Sequence, residues 1–409
     1  MRSEKIVFKG RQGDLAARLD LPIERPRAYA LFAHCFTCSK DVFAAARIAQ
    51  ELAELGVATL RFDFTGLGES GGEFADSHFT ANVADLVAAA QFLAQHYAAP
   101  RLLVGHSLGG AAVLAAAGQI ASAEVVATIG APFDPGHVGH LFADKRAEIE
   151  AEGEAMVTIA GRPFRITREF LEDIGSQDQA ARIADLRRPL LIFHSPVDRI
   201  VGIDHAARIF TAARHPKSFI SLDKADHLLS RRQDAVYVAQ VLVAWARRYV
   251  AGLEPPEFQS RFAPDGEHVV VAEAGGGKFT QLINAAGHPL VSDEPLSVGG
   301  DNLGPSPYGL LLSALGACTA MTIRMYADHK GLKLDHVSIR LGHDKIHAED
   351  CADCETREGR IDIITREIAL EGMLSEAERA RLLRIADRCP VHRTLHGEVK
   401  VRTELVQSL

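Results

Sequence analysis

The sequence predicts two folds in one chain: a mostly parallel β-sheet with helices on both faces, followed by an α+β domain. Strand and helix patterns alternate from Ile6 to about Val250, which is typical of the first fold. Beyond that point several short strand patterns, one long helix pattern and further strands follow in a different order. The chain has 409 residues, and one core rarely serves so many, so we expect at least two domains.

A break in the pattern marks the boundary between the domains. Residues 251–256 read A-G-L-E-P-P, and two prolines with a glycine end any helix. We therefore place the first domain at 1–252, a linker at 253–264 and the second domain at 265–409.

One segment of the first domain interrupts the alternation. Residues from about 133 to 186 contain a charged, helix-prone run from Asp144 to Glu154. We expect this segment to form a cap over one end of the sheet and to limit the size of a substrate. An ordered insertion without a lid function is the alternative.

Composition excludes several kinds of partner. A net charge of −8 argues against nucleic acid and anionic membranes, and 47% hydrophobic with 24% charged residues is ordinary for a soluble protein. The N-terminal region has no secretory apolar core, and we expect no apolar run to be long enough to span a bilayer, the longest being Ala111 to Ala117. We expect a cytoplasmic protein. Its six cysteines do not suggest a disulfide scaffold and would be catalytic, metal-binding or inert.

The pattern G-x-S-x-G at 105–109 is the strongest chemical signal in the chain. A buried strand pattern at 101–104 precedes it and a helix of small residues at 108–118 follows. Two glycines permit a cramped turn between strand and helix, which would push the Ser107 hydroxyl outward. Ser107 is therefore the candidate nucleophile; an unreactive hydroxyl in a tight loop is the alternative.

A nucleophilic serine needs a base and a carboxylate, which follow it in the chain order Ser, Asp, His in this type of sheet. Asp198 lies just past the strand pattern 189–194, and His227 follows the strand pattern 218–222 in the same way. We assign Asp198 as the orienting carboxylate and His227 as the base. The residues that compete for these two roles are His194, His205, His215, Asp63, Asp204 and Asp226.

An oxyanion formed at the attacked carbonyl needs backbone N–H donors that already point at it. The N–H of Leu108 qualifies because it directly follows Ser107 at a helix N-terminus. The second candidate is the N–H of Phe36, in the loop after the strand pattern 30–33. Cys35 and Cys38 flank this position as C-x2-C, and we expect a structural role for them.

Residues 1 to about 250 resemble an alpha/beta-hydrolase of the serine aminopeptidase or esterase type. The residues that carry the resemblance are His34-Cys35-Phe36, the run Arg61 to Ser70 (R-F-D-F-T-G-L-G-E-S), the Ser107 turn, Asp198 and His227. The resemblance implies hydrolysis of a small acyl or ester substrate through an acyl-enzyme, without a cofactor. The family usually has glycine where Cys35 stands, so the oxyanion loop is expected to differ in shape.

Two cysteines far apart in the second domain form a further constellation. Cys318 lies in the helix pattern Ser306 to Lys330, which is apolar on nearly every side until Arg324 and so predicts a buried central helix. Cys389 precedes Pro390 at a predicted helix cap, where the helix N-terminus favours the thiolate. Such a pair suits a reaction in which one thiol attacks an oxidant and the other resolves the sulfenic acid.

Residues 265–409 resemble the OsmC/Ohr family of hydroperoxide reductases, on the basis of Leu310 to Thr319 (L-L-L-S-A-L-G-A-C-T) and Cys389-Pro390. The resemblance implies Cys318 as the peroxidatic thiol and Cys389 as the resolving thiol in an intertwined homodimer. Its substrate would be an organic hydroperoxide and its electron donor a thiol. Strongly active members carry a glutamate soon after the proline of the loop that enters the long helix, to pair with an activating arginine, whereas here Tyr308 follows Pro307; Lys278 or Arg393 would have to supply the activating charge. A non-catalytic dimerisation or ligand-binding module is the alternative.

Four potential metal ligands lie close together in sequence: His343, His347, Cys351 and Cys354. Zinc accepts such ligands, but this spacing matches no standard finger. We therefore expect no metal, with zinc, a redox pair of cysteines or a capped polar loop as the open alternatives.

Overall fold

A computed structural model of the chain describes residues 1–159, 161–253, 268–348 and 358–407. These residues form two compact units, Met1–Lys278 and Phe279–Leu409. The predicted linker 253–264 lies, except for Leu253, outside the described residues.

The first unit contains an eight-stranded sheet. Its strands are β1 (Arg2–Lys9), β2 (Asp14–Leu21), β3 (Ala28–Ala33), β4 (Val57–Phe62), β5 (Leu102–His106), β6 (Val125–Ile129), β9 (Leu190–His194) and β10 (Lys217–Ser221). Strands β7 (Glu154–Ile159) and β8 (Arg162–Thr167) form a separate two-stranded sheet. The order across the sheet is β1-β2-β4-β3-β5-β6-β9-β10. Only β1, β2 and β4 pair antiparallel, so the predicted mostly parallel sheet is confirmed.

Helices cover both faces of this sheet. On one face lie α2 (Phe79–His96), α3 (Leu108–Ala116) and α7 (Ile203–Ala212), and on the other α1 (Phe43–Glu54) and α8 (Arg232–Ala246). The remaining helices of the unit, α4 (Arg146–Glu152), α5 (Arg168–Gly175) and α6 (Gln179–Ala184), belong to the cap segment. Successive side chains of a strand point to opposite faces, so Leu103 packs into one core cluster while Leu102 and Val104 pack into the other. Leu86 of α2 lies in the first cluster and Leu242 of α8 in the second. The central strands are mostly apolar because both of their faces are buried.

The cap segment has more structure than its sequence predicted. It contains a 3-10 helix (Pro135–Lys145), helices α4 to α6 and the antiparallel hairpin of β7 and β8. The hairpin buries alternate residues, with Ala155, Val157 and Ile159 facing inward. This inner face joins the main core of the unit, so the segment is an integral layer.

The second unit is an α+β arrangement, which confirms the predicted fold class. Strand β11 (Val269–Glu273) lies at the end of the first unit. The described elements of the second unit are β12 (Gln281–Ala285), β13 (His288–Ser292), a 3-10 helix (Leu296–Val298), α9 (Pro307–Lys330), β14 (Leu334–His347), β15 (Arg360–Gly372), α10 (Glu376–Ala386) and α11 (Pro390–His396). The long strands β14 and β15 pair antiparallel, and so do β12 and β13. A small core forms where Ile323 and Ala327 of α9 meet Leu382 of α10.

Helix α9 is much less buried than its composition predicted. Ser306 caps its start, and Gly331 ends it at φ 64°. Along its outer face Met321 is 64% and Met325 72% exposed, so the expectation of a helix buried on nearly every side is wrong for the single chain. Its length and mean hydropathy of 1.4 would also suffice to cross a bilayer, which corrects the expectation that no segment could. A core helix of a soluble protein can have the same length and mean hydropathy.

Candidate active site

Ser107 stands on a sharp bend between β5 and α3. Its backbone has φ 54° and ψ −125°, a conformation that costs a residue with a side chain about 1–3 kcal/mol. The Ser107 N–H donates to the carbonyl of Ile129 at the end of β6 over 2.8 Å, which ties the bend to the neighbouring strand. The sheet therefore holds this hydroxyl at a fixed place above the strand ends.

Gly105 and Gly109 allow this bend because backbone atoms approach them closely. A Cβ atom on Gly105 would lie 2.2 Å from the carbonyl oxygen of Gly109. A Cβ atom on Gly109 would lie 2.4 Å from the carbonyl oxygens of Ala33 and His34. Ordinary contacts of carbon atoms are about 3.5 Å, so only glycine fits at either position.

His227 and Asp198 lie beside Ser107. The Nε2 atom of His227 is 3.0 Å from the Ser107 Oγ, and its Nδ1 atom is 2.7 Å from the Asp198 Oδ2. Both distances are those of hydrogen bonds. The imidazole thus bridges the hydroxyl and the carboxylate, and the structure brings all three candidate residues together.

The side chain of Asp198 is buried, and its carboxylate accepts three hydrogen bonds. Its Oδ1 accepts the backbone N–H groups of Ile200 (2.8 Å) and Val201 (3.0 Å), while Oδ2 accepts from His227. Burial alone would raise the pKa of Asp198, but the bond from His227 and these two amides outweigh it and hold the pKa below its usual value. Asp198 is therefore a carboxylate at neutral pH.

Two buried histidines support the loops that carry His227 and Asp198, and sequence reasoning missed both supports. His106 is the last residue of β5, and its Nε2 donates to the carbonyl of His227 over 2.7 Å. His194 is the last residue of β9, and its Nε2 donates to the carbonyl of Val201 over 2.8 Å. Burial lowers the pKa of His106 to about 3, so this imidazole is neutral. A histidine at the end of a fully apolar strand was the available signal.

The remaining competitors have other positions or partners. His205 accepts a backbone N–H of the cap segment over 3.0 Å, and Asp226 accepts a backbone N–H four residues further along over 2.9 Å. His215 is exposed, and Asp204 lies in the first turn of α7.

The two candidate oxyanion donors lie on different elements. Leu108 is the first residue of α3, so its N–H is among the four that a helix leaves unbonded. Phe36 lies in a turn after β3 that a disulfide closes between Cys35 and Cys38, with the Cys38 N–H also donating to the Cys35 carbonyl over 3.2 Å. The sequence predicted a structural role for this pair, and the turn brings their Cα atoms to 5.3 Å, a separation that a disulfide spans. The oxyanion assignment itself stays a prediction.

A buried ion pair fixes the chain just beyond this turn. Lys40 donates its backbone N–H (2.5 Å) and its Nζ (2.8 Å) to the Asp63 carboxylate, and both residues are almost completely buried. The same Nζ reaches Glu69 at 2.8 Å. Asp63, a competitor for the orienting role in the sequence, instead anchors the loop that follows Phe36.

An apolar pocket lies beside Phe36 and Leu108. The Phe36 ring centre is 5.7 Å from that of Phe170 in the cap and 5.9 Å from that of Phe74, whose ring in turn meets Phe164 at 4.7 Å. The cavity beside Phe36, Phe74 and Leu108 has a volume of about 10 Å³, room for about one water molecule. Its lining residues are His34, Cys35, Phe36, Phe64, Leu67, Phe74, Ser77, Asn82, Leu108, Gly109 and Ala112. The cap therefore packs against the loop that carries Phe36.

In the second unit, Cys318 and Cys389 are free thiols, and Cys318 directly precedes a residue, Thr319, that contacts the Cys389 sulfur. Cys389 caps the start of α11, and its Sγ accepts the His392 N–H over 3.3 Å. The Thr319 hydroxyl lies 3.5 Å from the same sulfur. Cys389 is fully buried, whereas Cys318 is half-buried and so the more accessible of the two.

Arg366 supplies the positive charge near Cys389, and sequence reasoning missed it. Its Nη1 donates to the Thr319 hydroxyl over 3.0 Å, next to the sulfur. Burial alone would raise the pKa of Cys389, but the bonds from Thr319 and the helix N–H, together with the Arg366 charge, lower it below its usual value. Arg393, the candidate from the sequence, is exposed. Arg366 lies in the middle of a long strand, and nothing in the sequence indicates that it contacts Thr319 on the helix.

The candidate metal ligands are only partly described. His343 donates its Nε2 hydrogen to Asp362 on the facing strand over 2.7 Å, and His347 ends β14. Cys351 and Cys354 lie outside the described residues. Among the residues that the structure does describe, no three His, Cys, Asp or Glu side chains form a metal-binding group.

Comparison with known proteins places both halves. The alpha/beta hydrolase family profile matches residues 30–296, and the OsmC-like protein profile matches residues 299–404. The chain belongs to the alpha/beta hydrolase family. The esterase domain of a Rhodothermus marinus protein is 54% identical to the hydrolase over 61% of this chain and 100% of that one, with a TM-score of 0.52. A search of curated proteins found no match to this chain.

More distant solved structures share the fold of the hydrolase. Est1E from Butyrivibrio proteoclasticus, whose structure holds ferulic acid, is 19% identical over 60% of this chain and 99% of that one, with a TM-score of 0.50. GrgF from Penicillium sp. sh18 is 16% identical over 61% of this chain and 100% of that one, with a TM-score of 0.52. Both resemblances drawn from the sequence, to a hydrolase and to an OsmC-like domain, are confirmed.

We expect His106→Gln to make the fold of the hydrolase less sensitive to acid. The pKa of His106 is about 3 in the folded chain against 6.5 when unfolded, so between these values only the unfolded chain binds the proton. Stability from this group is complete above pH 6.5 and falls by about 1.4 kcal/mol for each pH unit below it. Glutamine keeps an N–H donor for the His227 carbonyl and binds no proton. Urea unfolding at several pH values, followed by fluorescence of the single tryptophan, Trp245, measures the difference in slope.

The matched control is His215→Gln, which removes an exposed histidine and should keep the pH slope of the wild type. Equal slopes for wild type and His106→Gln would contradict the buried, neutral state assigned to His106.

Proposed function

We propose that the first domain hydrolyses small esters through an acyl-enzyme formed on Ser107. The observation that carries the proposal is the His227 imidazole, 3.0 Å from the Ser107 Oγ and 2.7 Å from the Asp198 carboxylate. A serine becomes a nucleophile when an adjacent base removes its proton and a third group orients that base. The esterase domain of the Rhodothermus marinus protein, 54% identical, supports an ester as the substrate.

In the proposed reaction, His227 Nε2 takes the Ser107 proton while Oγ bonds to the carbonyl carbon. Asp198 stays ionised and stabilises the imidazolium, because its pKa lies below its usual value. The Leu108 and Phe36 N–H groups receive the negative charge on the carbonyl oxygen. The imidazolium then protonates the leaving alcohol, and a water molecule that His227 deprotonates releases the acid from Ser107.

Two observations bear on the substrate. The fold relative Est1E binds ferulic acid, an aromatic acid, which supports a small acyl group for this chain as well. The pocket beside the candidate oxyanion donors, which Phe36 and Phe74 line, has room for only about one water molecule, and this favours a short acyl group. We therefore propose small acyl esters, with the cap limiting the length of the acyl group.

We expect Ser107→Ala to lower kcat for p-nitrophenyl acetate at least about 1,000-fold, because the acyl-enzyme cannot form. A fluorophosphonate probe should label the wild type and not the variant. Ser3→Ala, at an exposed serine on β1, is the matched control and should react like the wild type. Equal labelling of Ser107→Ala and wild type would refute the nucleophile assignment.

We further propose that the OsmC-like domain reduces organic hydroperoxides. The Cys318 thiolate attacks the terminal peroxide oxygen, which breaks the O–O bond, leaves a sulfenic acid on Cys318 and releases an alkoxide that takes a proton from solvent to become the alcohol. The Cys389 thiolate then displaces hydroxide from that sulfenic acid to form a disulfide, the hydroxide takes up a proton to become water, and an external dithiol reduces the disulfide. The accessible Cys318 and the lowered pKa of Cys389 support these two roles.

We expect Cys318→Ser to lose dithiol-dependent consumption of cumene hydroperoxide, because no sulfenic acid can form. Thr322→Ala, one turn further along α9 and equally half-buried, is the control and should retain the rate of the wild type. If wild type and Cys318→Ser consume the peroxide equally slowly, the domain is the non-catalytic module instead. Tyr308 follows Pro307, whereas strongly active members carry a glutamate soon after the corresponding proline, and this favours the second candidate.

We also propose that the second domain pairs two chains. Met321 and Met325 on α9 expose 64% and 72% of their surface, and exposed apolar side chains on a long helix indicate an interface. A second copy of the helix would bury them, as expected of an OsmC-like domain. The exposed face of α9 is therefore the proposed dimer contact.

We expect Met325→Glu to shift the full chain from dimer to monomer, because a charge at the interface stays unpaired. Sedimentation velocity measures the change at equal protein concentration. Lys9→Glu, whose side chain is 87% exposed on the first unit, is the control and should remain a dimer. A wild-type monomer would contradict the proposal.

A further inference from the structure

The turn that carries Phe36 is closed covalently. The disulfide between Cys35 and Cys38 encloses only Phe36 and Thr37, and the Cys38 N–H donates to the Cys35 carbonyl across the same turn. Phe36 thus has a bonded cysteine directly before it and another two residues after it. The direction of the Phe36 N–H depends on this small ring.

Thr37 shows that the turn is held in a conformation that it would not adopt freely. Its φ is 58°, in the left-handed region, which is strongly disfavoured for a β-branched residue and costs about 1–3 kcal/mol. Such a conformation persists only where its surroundings impose it. The disulfide imposes it from within the turn, and the Lys40 N–H bonded to Asp63 fixes the chain that follows.

The cap also contacts the turn. Arg162 of β8 donates to the carbonyl of Thr37, and the Phe36 ring packs against Phe170 of α5. A change in the turn would therefore act on both the candidate oxyanion donor and the packing of the cap.

We propose that Cys35 and Cys38 form a redox site whose oxidation state sets the turnover at Ser107. The inference rests on the proposed hydrolase function, with Phe36 as an oxyanion donor. As a disulfide, the pair holds the Phe36 N–H in place. As two thiols, it lets Thr37 leave the left-handed region, and the N–H turns away from the oxyanion position.

The exchange would begin at Cys38, because its side chain is half-buried while Cys35 is only 3% exposed. One thiolate of an external dithiol attacks the Cys38 sulfur, and Cys35 leaves as a thiolate that takes up a proton. The second thiol of the reductant then displaces Cys38 and forms the oxidised reductant. Two electrons and two protons pass to the pair, and oxidised glutathione reverses the reaction by accepting both.

The test measures hydrolysis of p-nitrophenyl acetate by the full chain in three states: oxidised, reduced by dithiothreitol and desalted without air, and reoxidised with glutathione disulfide. Alkylation and mass spectrometry establish the state of Cys35 and Cys38 in each sample. We expect reduction to lower kcat at least about 10-fold, within the 100- to 1,000-fold limit for loss of one oxyanion donor. The KM should change less than about twofold, and reoxidation should restore kcat.

The double variant Cys35→Ser/Cys38→Ser separates this pair from the other thiols. It should have the low kcat of the reduced wild type and should not respond to dithiothreitol. Full kcat in reduced wild type, or a dithiothreitol response that persists in the double variant, would overturn the proposal. Reversal by reoxidation in the wild type distinguishes the switch from misfolding of the variant. If the oxidised wild type hydrolyses no ester, the proposed function has failed and the inference fails with it.

Discussion

The close approach of backbone around Ser107 is the constraint on which the rest of the site depends. Helix α3 can begin directly above the end of β5 only because Gly105 and Gly109 carry no side chain, and Ser107 accepts a strained conformation at that point. The loops with Asp198 and His227 then need only meet a hydroxyl whose place is already fixed. His106 shares this constraint, since the strand that presents the serine also supports the His227 loop.

Much of the first domain could be predicted because its signals are local. Apolar runs of five or six residues predict central strands, since both faces of a parallel sheet are covered. The order Ser, Asp, His with each residue just past a strand end predicts that the three side chains lie at one edge of the sheet. In the structure the His227 ring is 3.0 Å from the Ser107 Oγ and 2.7 Å from the Asp198 carboxylate. The glycine pattern at 105–109 directly indicates a turn in which backbone atoms approach too closely for a side chain.

The remainder depends on contacts between residues distant in sequence. Arg366 contacts Cys389 through Thr319, and the sequence separation of these residues gives no indication of that contact. The hairpin of the cap alternates buried and exposed residues only because a core lies beneath it. The sequence of α9 predicted burial because apolar residues surround it, but burial also needs a neighbour for every face, and a single chain supplies one for only part of the helix.

The buried contact between Lys40 and Asp63 has a consequence for the conditions that the loop can tolerate. Mobile ions weaken attraction between charges that water can reach, and weaken it much less between charges that are enclosed. Because this pair is shielded from solvent, concentrated salt should leave the chain beyond Phe36 in place. High salt should weaken exposed ion pairs such as Lys9 with Asp14 at concentrations that leave the pair of Lys40 and Asp63 intact.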